Sequence, residues 1–191
     1  IAGVVIGLIY LWFEFRAIIW LWPVSVIMPA IYIVVYYQVC LYADSVISIY
    51  YLLAGIYGWW MWLRHTPDKG EKPVSGTPSK LLLPMFVVLL VVFVLIGIIL
   101  ETCTDSTVPW WDSFTTALSI IAMWMLAHKY VEQWLAWLVV DAVSCGIYIY
   151  KDLYFTSFLY GLYAVIACFG YLKWKLLMNL SYESVYITDW M

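Results

Sequence analysis

Residues 81–100 run from Leu81 to Leu100 without one charged side chain. In helical form a run of about 20 residues reaches across the roughly 30 Å hydrocarbon core of a bilayer. Six more apolar runs, at about 1–17, 20–39, 43–63, 112–128, 131–150 and 153–174, bring the total to seven. Turn and charge signals separate them: Glu14 to Arg16 with Trp20-Leu21-Trp22-Pro23, then Asp44, the polar stretch Arg64 to Lys80, Glu101 to Asp112, His128-Lys129 and Lys151-Asp152. The runs are continuous rather than alternating in period two, which favours helices over a β-barrel. With 66% of residues hydrophobic and 11% charged, no soluble fold of this size has the interior to hide the apolar surface. The reading is an all-α integral membrane protein with seven transmembrane helices. Run 1–17 has no basic segment before it and reads as a span, not a cleavable signal.

Charge excludes other classes and orients the chain. A net charge of −3 without a basic cluster excludes a charge-driven nucleic-acid binder. Cys40, Cys103, Cys145 and Cys168 show no C-x-x-C spacing, so neither a disulfide framework nor a metal site is expected. Arg16, Arg64, Lys69, Lys72, Lys80, Lys129, Lys173 and Lys175 fall on one side of a seven-span chain and Lys151 alone on the other. Positive charge gathers on the cytoplasmic side, so the N-terminus is expected outside and the C-terminus inside.

An ungapped repeat lies at an offset of 112 residues. Trp12 falls on Trp124, Trp22 on Trp134, Tyr36 on Tyr148, Leu41-Tyr42 on Leu153-Tyr154, Tyr51 on Tyr163, Gly58 on Gly170 and Trp62 on Trp174. Three spans thus recur as the last three, with one left over to restore their orientation. This 3+1+3 order implies parallel repeats about an axis along the membrane normal, an architecture suited to transport. The expected divisions are 1–63 for the first three-helix bundle, 64–111 for a cytoplasmic loop and linker helix, 112–175 for the second bundle and 176–191 for a cytoplasmic tail.

Several segments carry a specific resemblance. Leu41-Tyr42-Ala43-Asp44-Ser45, Gly55-Ile56-Tyr57-Gly58-Trp59, Glu132-Gln133-Trp134-Leu135-Ala136-Trp137, Tyr148-Ile149-Tyr150-Lys151-Asp152-Leu153-Tyr154 and Gly170-Tyr171-Leu172-Lys173-Trp174 resemble the PnuC family of vitamin transporters, over nearly the whole chain. The resemblance implies uptake of nicotinamide riboside across the bacterial inner membrane by facilitated diffusion, with no cofactor or coupled ion. It further implies a SWEET-like fold, a homotrimer, and a soluble kinase that traps the product by phosphorylation. The similar PnuT proteins carry thiamine, which stands as the alternative substrate.

Both vitamins present a flat cationic ring, for which an aromatic surface with a few polar groups and a carboxylate is suited. Gln133, Trp137 and Asp141 are spaced by four and share one helix face. A carboxylate deep in a membrane costs about 2.5–3.5 kcal/mol on insertion scales, so Asp141 is expected to face a polar cavity. The bland readings are a structural residue at a helix crossing for Asp141, packing against its repeat partner or lipid for Trp137, and headgroup contact for Gln133. By resemblance, Trp134, Trp137 and Asp141 match the cavity-lining part of the family motif, although many nicotinamide riboside carriers have Asn where this chain has Asp141. The first-repeat equivalents of Gln133, Trp137 and Asp141 are Leu21, Ser25 and Pro29, so the polar face is not duplicated. Trp22, Tyr36, Tyr148 and Ser119 complete the candidate binding set, with Tyr32, Trp124 and Tyr163 behind them; membrane-interface anchoring is the competing role for these aromatics.

Other classes fit less well. A SWEET-type sugar carrier would have a Pro-Gln pair, and here Pro29 precedes Ala30 and Pro23 precedes Val24. A membrane enzyme would show G-x-S-x-G, H-E-x-x-H or paired intramembrane aspartates, and the sequence has none of them. A retinal receptor needs a lysine inside the seventh span, whereas Lys173 and Lys175 stand at its end.

Overall fold

A computed structural model describes residues 2–38, 42–64 and 73–188. Cys40 and Leu41, and residues 65–72 with His65, Lys69 and Lys72, lie outside the described residues. Among those described, the chain forms seven α-helices: α1 (Ala2–Phe15), α2 (Leu21–Gln38), α3 (Tyr42–Leu63), α4 (Ser79–Cys103), α5 (Pro109–Ala127), α6 (Gln133–Tyr150) and α7 (Tyr154–Thr188). They form no strand, only an isolated bridge between Ser75 and Tyr130.

The helix boundaries follow the repeat. α2 and α6 start and finish 112 residues apart, α3 and α7 start 112 apart, and α1 and α5 end 112 apart. The turns after α1 and α5 reuse one backbone device, a left-handed residue at Ala17 (φ 56°) and Lys129 (φ 57°). That conformation costs a side-chain-bearing residue on the order of 1 kcal/mol, so its use at both equivalent positions marks a turn that the packing on either side demands. Pro23 is the third residue of α2, where no intrahelical partner is lost. Pro29 sits inside the helix and removes one bond. Helix α7 continues to Thr188 instead of stopping near 174, because Leu176, Leu177, Met178 and Leu180 extend its apolar pattern with no Gly or Pro to end it.

The chain divides into two compact units, Ile1–Pro73 with Ala127–Lys129, and Val74–Leu126 with Tyr130–Met191. In the first, α2 packs along α3 and more lightly against α1. The Trp22 ring occupies the space a side chain at Gly58 would need. Trp62 meets that ring edge-on, 5.5 Å between centroids, and the Lys129 ammonium stands 4.1 Å over the Trp62 ring. In the second unit α6 packs along α7. A Cβ at Gly170 would lie 2.5 Å from the Trp134 ring, and Trp174 meets Trp134 edge-on at 5.9 Å. The contact of Trp22, Gly58 and Trp62 thus recurs at Trp134, Gly170 and Trp174. Helices α4 and α5 of the second unit meet where Trp110 covers Gly97 and the Ser113 hydroxyl donates to the Phe93 carbonyl.

The outward surfaces are oily. On α4 only Gly97 is buried, leaving Leu82, Leu83, Phe86, Val87, Val91 and Leu95 exposed. On α7, Phe155 is 96% exposed. A helix apolar on all sides belongs in lipid. By length and composition α4, α6 and residues Tyr154–Leu180 can each cross a membrane, and the apolar stretches Leu21–Val35 and Ile47–Leu63 are shorter. Helix α5 is more polar, but the hydroxyls of Thr115, Thr116 and Ser119 are satisfied within the helix. Thr115 donates to the Asp112 carbonyl at 3.0 Å, Thr116 to the same oxygen at 2.8 Å, and Ser119 to the Thr115 carbonyl at 2.8 Å. Such back-bonding lets polar side chains sit in a helix without a further partner.

Candidate functional site

Successive helix residues turn by about 100°, so Gln133, Trp137, Asp141, Ser144 and Tyr148 occupy an arc of about 80° on α6. Gln133 opens the helix, and Asp141 stands about 12 Å further along its axis. Gln133, Asp141 and Ser144 are all buried. Gln133 has no exposed surface, and neither its amide oxygen nor its amide nitrogen has a hydrogen-bond partner among the described residues. The Trp137 indole N–H is buried and equally without an acceptor there. An unmade hydrogen bond on a buried amide costs about 1–3 kcal/mol. At the equivalent place in the first unit stands Leu21, also with no exposed surface. One fold position therefore holds an apolar side chain in one repeat and an amide in the other, and the amide is the costlier choice for packing.

Further along α6, Asp141 lies close enough to Tyr163 of α7 for the two to interact electrostatically. Tyr163 meets Tyr160 edge-on at 6.0 Å, and Tyr160 stacks on Tyr148 at 5.1 Å with ring planes 19° apart. An acidic group beside a row of phenol rings suits a flat cation, which gains from both the charge and the ring faces. Ser157 of α7 closes the end of this face by donating to the Cys145 carbonyl at 3.0 Å.

The other candidates separate by surroundings. Trp22 and Trp134 are used in packing, each over a glycine of the following helix. The Ser119 hydroxyl is buried and taken up by its own helix. Trp124 tilts against Tyr130 at 6.0 Å. Tyr32 is exposed, and the Tyr36 side chain lies outside the described residues. Three members of the α6–α7 face, Ser144, Ser157 and Tyr160, are missing from the set that sequence reasoning selects. A signal for Tyr160 exists: Ser157, Tyr160, Tyr163, Ala167, Gly170 and Trp174 follow one another at spacings of three and four, which marks one helix face. Among the described residues no cluster of His, Cys, Asp or Glu could hold a metal ion.

The first turn of α6 is also tied to distant chain. The Glu132 carboxylate accepts hydrogen bonds from the Thr77 backbone N–H and hydroxyl, both at 2.8 Å. The Val131 N–H donates to the Ser75 carbonyl at 3.0 Å. Burial, and then the nearby Glu132 carboxylate, raise the Tyr130 phenol above its ordinary pKa.

Comparison with known proteins bears on this arrangement. A family model described as nicotinamide mononucleotide transporter matches residues 1–176. The nicotinamide riboside transporter PnuC of Escherichia coli (strain K12) is 28% identical over 74% of this chain and 70% of its own. The riboflavin/roseoflavin transporter RibM of Streptomyces davaonensis is 27% identical over 91% of this chain and 83% of its own. A crystal structure of the vitamin B3 transporter PnuC superposes with a TM-score of 0.70 over 92% of this chain and 80% of that one, at 21% identity. That likeness shows a shared fold. The family and these relatives are transporters, not enzymes, and together with the apolar helices they make the chain a multi-pass membrane protein.

Proposed function

The chain belongs to the nicotinamide mononucleotide transporter family, and from that premise we propose that it carries nicotinamide riboside into the cell as a uniporter. In this reading the substrate moves down its gradient by alternating access, and phosphorylation by a soluble kinase in the cytoplasm traps it. The protein sits in a bacterial inner membrane with its N-terminus outside and its C-terminus inside, works as a homotrimer, and is built as a 3+1+3 parallel repeat. The shared helix boundaries of α2 and α6 and the recurring tryptophan–glycine contact support that repeat.

One observation carries the substrate reading: the buried amide of Gln133, without a hydrogen-bond partner among the described residues, on the same helix face as Trp137 and Asp141. The amide and the Trp137 N–H supply donors and an acceptor for ribose hydroxyls or a carboxamide. Asp141, with Tyr163, Tyr160 and Tyr148, supplies negative charge and ring faces for the pyridinium. Polar groups that are costly to bury alone discriminate strongly, because a ligand lacking the matching atoms leaves them unsatisfied. Trp22 and Trp134 serve the packing of their own units, each over a glycine.

A second reading draws on the likeness to RibM, a riboflavin/roseoflavin transporter: a flat neutral heterocycle bearing a polyol would use the same amide and indole donors and have less need of Asp141. Side-by-side titration of the purified protein with nicotinamide riboside, thiamine and riboflavin, followed by tryptophan fluorescence, separates these ligands. Binding of nicotinamide riboside, and its downhill entry into liposomes holding this chain alone, is the expected result. Uphill accumulation driven by a proton or sodium gradient would refute uniport.

A further inference from the structure

Glu132 is followed directly by Gln133, and the two side chains have different fates. Glu132 occupies the N-cap position of α6, yet its side chain caps no backbone N–H of the helix. It reaches instead to Thr77, whose N–H and hydroxyl both donate to one carboxylate oxygen at 2.8 Å. The neighbouring residues join in: Val131 N–H donates to the Ser75 carbonyl. A Cβ at Gly76 would stand 3.4 Å from the other Glu132 oxygen and 4.0 Å from the Met178 sulfur. Residues 74–77 therefore lie as a strap between the first turn of α6 and the extended end of α7, directly before α4 begins at Ser79.

Hydrogen bonds to an ionised carboxylate are among the stronger ones in proteins. Here they join α6 to a segment 55 residues earlier. Among the described residues the first repeat shows no such device: the equivalent of Glu132 is the exposed Trp20 and that of Gln133 is Leu21. The strap and the buried amide occur in the same repeat, one residue apart.

We propose that Glu132 and Thr77 form a clip that positions Gln133: it fixes the first turn of α6 so that the amide is buried and aimed for substrate, and its release exposes residue 133. Glu132 acts through Gln133 and touches no substrate itself. The inference rests on the reading of Gln133 as a substrate group, and its test keeps the two apart.

The first measurement needs no ligand. In a chain with its four cysteines replaced by alanine, Gln133→Cys is labelled with a maleimide in detergent, with and without Glu132→Gln or Thr77→Val. The clip predicts slow labelling that either substitution accelerates about tenfold or more, while Thr77→Ser, which keeps the hydroxyl, leaves it slow. Unchanged labelling in both Glu132→Gln and Thr77→Val overturns the clip. The second measurement titrates nicotinamide riboside in a double-mutant cycle. Glu132→Gln should weaken binding about five- to twentyfold in the native chain and have no further effect in Gln133→Ala. Equal losses in both backgrounds overturn the positioning role. Native affinity in Gln133→Ala overturns the substrate reading, and the positioning role with it, while the labelling result still decides whether the clip exists.

Discussion

Replacing Gln133 by leucine installs in the second repeat the residue that the first repeat holds at Leu21. Both positions are fully buried, and the amide of Gln133 has no partner among the described residues. The substitution removes an unsatisfied polar group of about 1–3 kcal/mol and puts a similar apolar volume in its place. For a chain of this length 1 kcal/mol moves Tm by about 2–4 °C, so Gln133→Leu should melt roughly 2–12 °C above the native protein in detergent. The same change deletes the hydrogen bonds proposed for the substrate and should weaken nicotinamide riboside binding roughly 5- to 150-fold. Gain in stability with loss of binding is the signature of a side chain kept for function. The assay pairs a thermal melt, followed by fluorescence-detected size exclusion, with a tryptophan-fluorescence titration of the same preparations. A lower Tm with unchanged affinity would refute the reasoning, since it would mean that the amide holds the fold together.

Three further outcomes follow from the geometry. Gly170→Ala should destabilise the chain by about 1–3 kcal/mol through overpacking on the Trp134 ring, and Trp134→Phe in the same chain should restore much of the lost Tm; failure of the smaller ring to help would refute that cause. Asp141→Asn should weaken binding of cationic nicotinamide riboside more than that of neutral riboflavin, as read by titration calorimetry, and equal losses would count against a charge-based role. Lys151 and Asp112 pair at 3.5 Å with about a third of each side chain exposed, so Lys151→Met should change stability by less than about 1 kcal/mol. A larger shift in the melt would show that the pair does more than brace the surface.

Much of the fold is legible in the amino-acid order, because in a membrane the solvent imposes a simple rule. Backbone groups must be satisfied within the segment, so a long apolar run is a helix and charged residues mark where it ends. That is why the repeat offset of 112 residues anticipates the starts of α2 and α6 and the starts of α3 and α7. The spacing of Gln133, Trp137 and Asp141 likewise places them on one face from helical geometry alone. What that face does depends on its neighbours. Whether an indole binds or packs is set by what the next helix presents to it. Gly58 and Gly170 receive the Trp22 and Trp134 rings, although the indole N–H groups of Trp22, Trp134 and Trp137 are all buried without an acceptor among the described residues. Nothing local distinguishes Trp134 from Trp137, since both are large amphipathic side chains three residues apart on one helix. The stacking of Tyr148 on Tyr160 and the hold of Glu132 on Thr77 are further from local reach, joining residues 12 and 55 positions apart. Helices, their ends and their faces are thus properties of the chain's own order, because hydropathy and periodicity act between near neighbours. Which polar groups are paired and which are left for a substrate is a matter of packing between helices, because a buried group is satisfied by partners that the fold brings in from far along the chain.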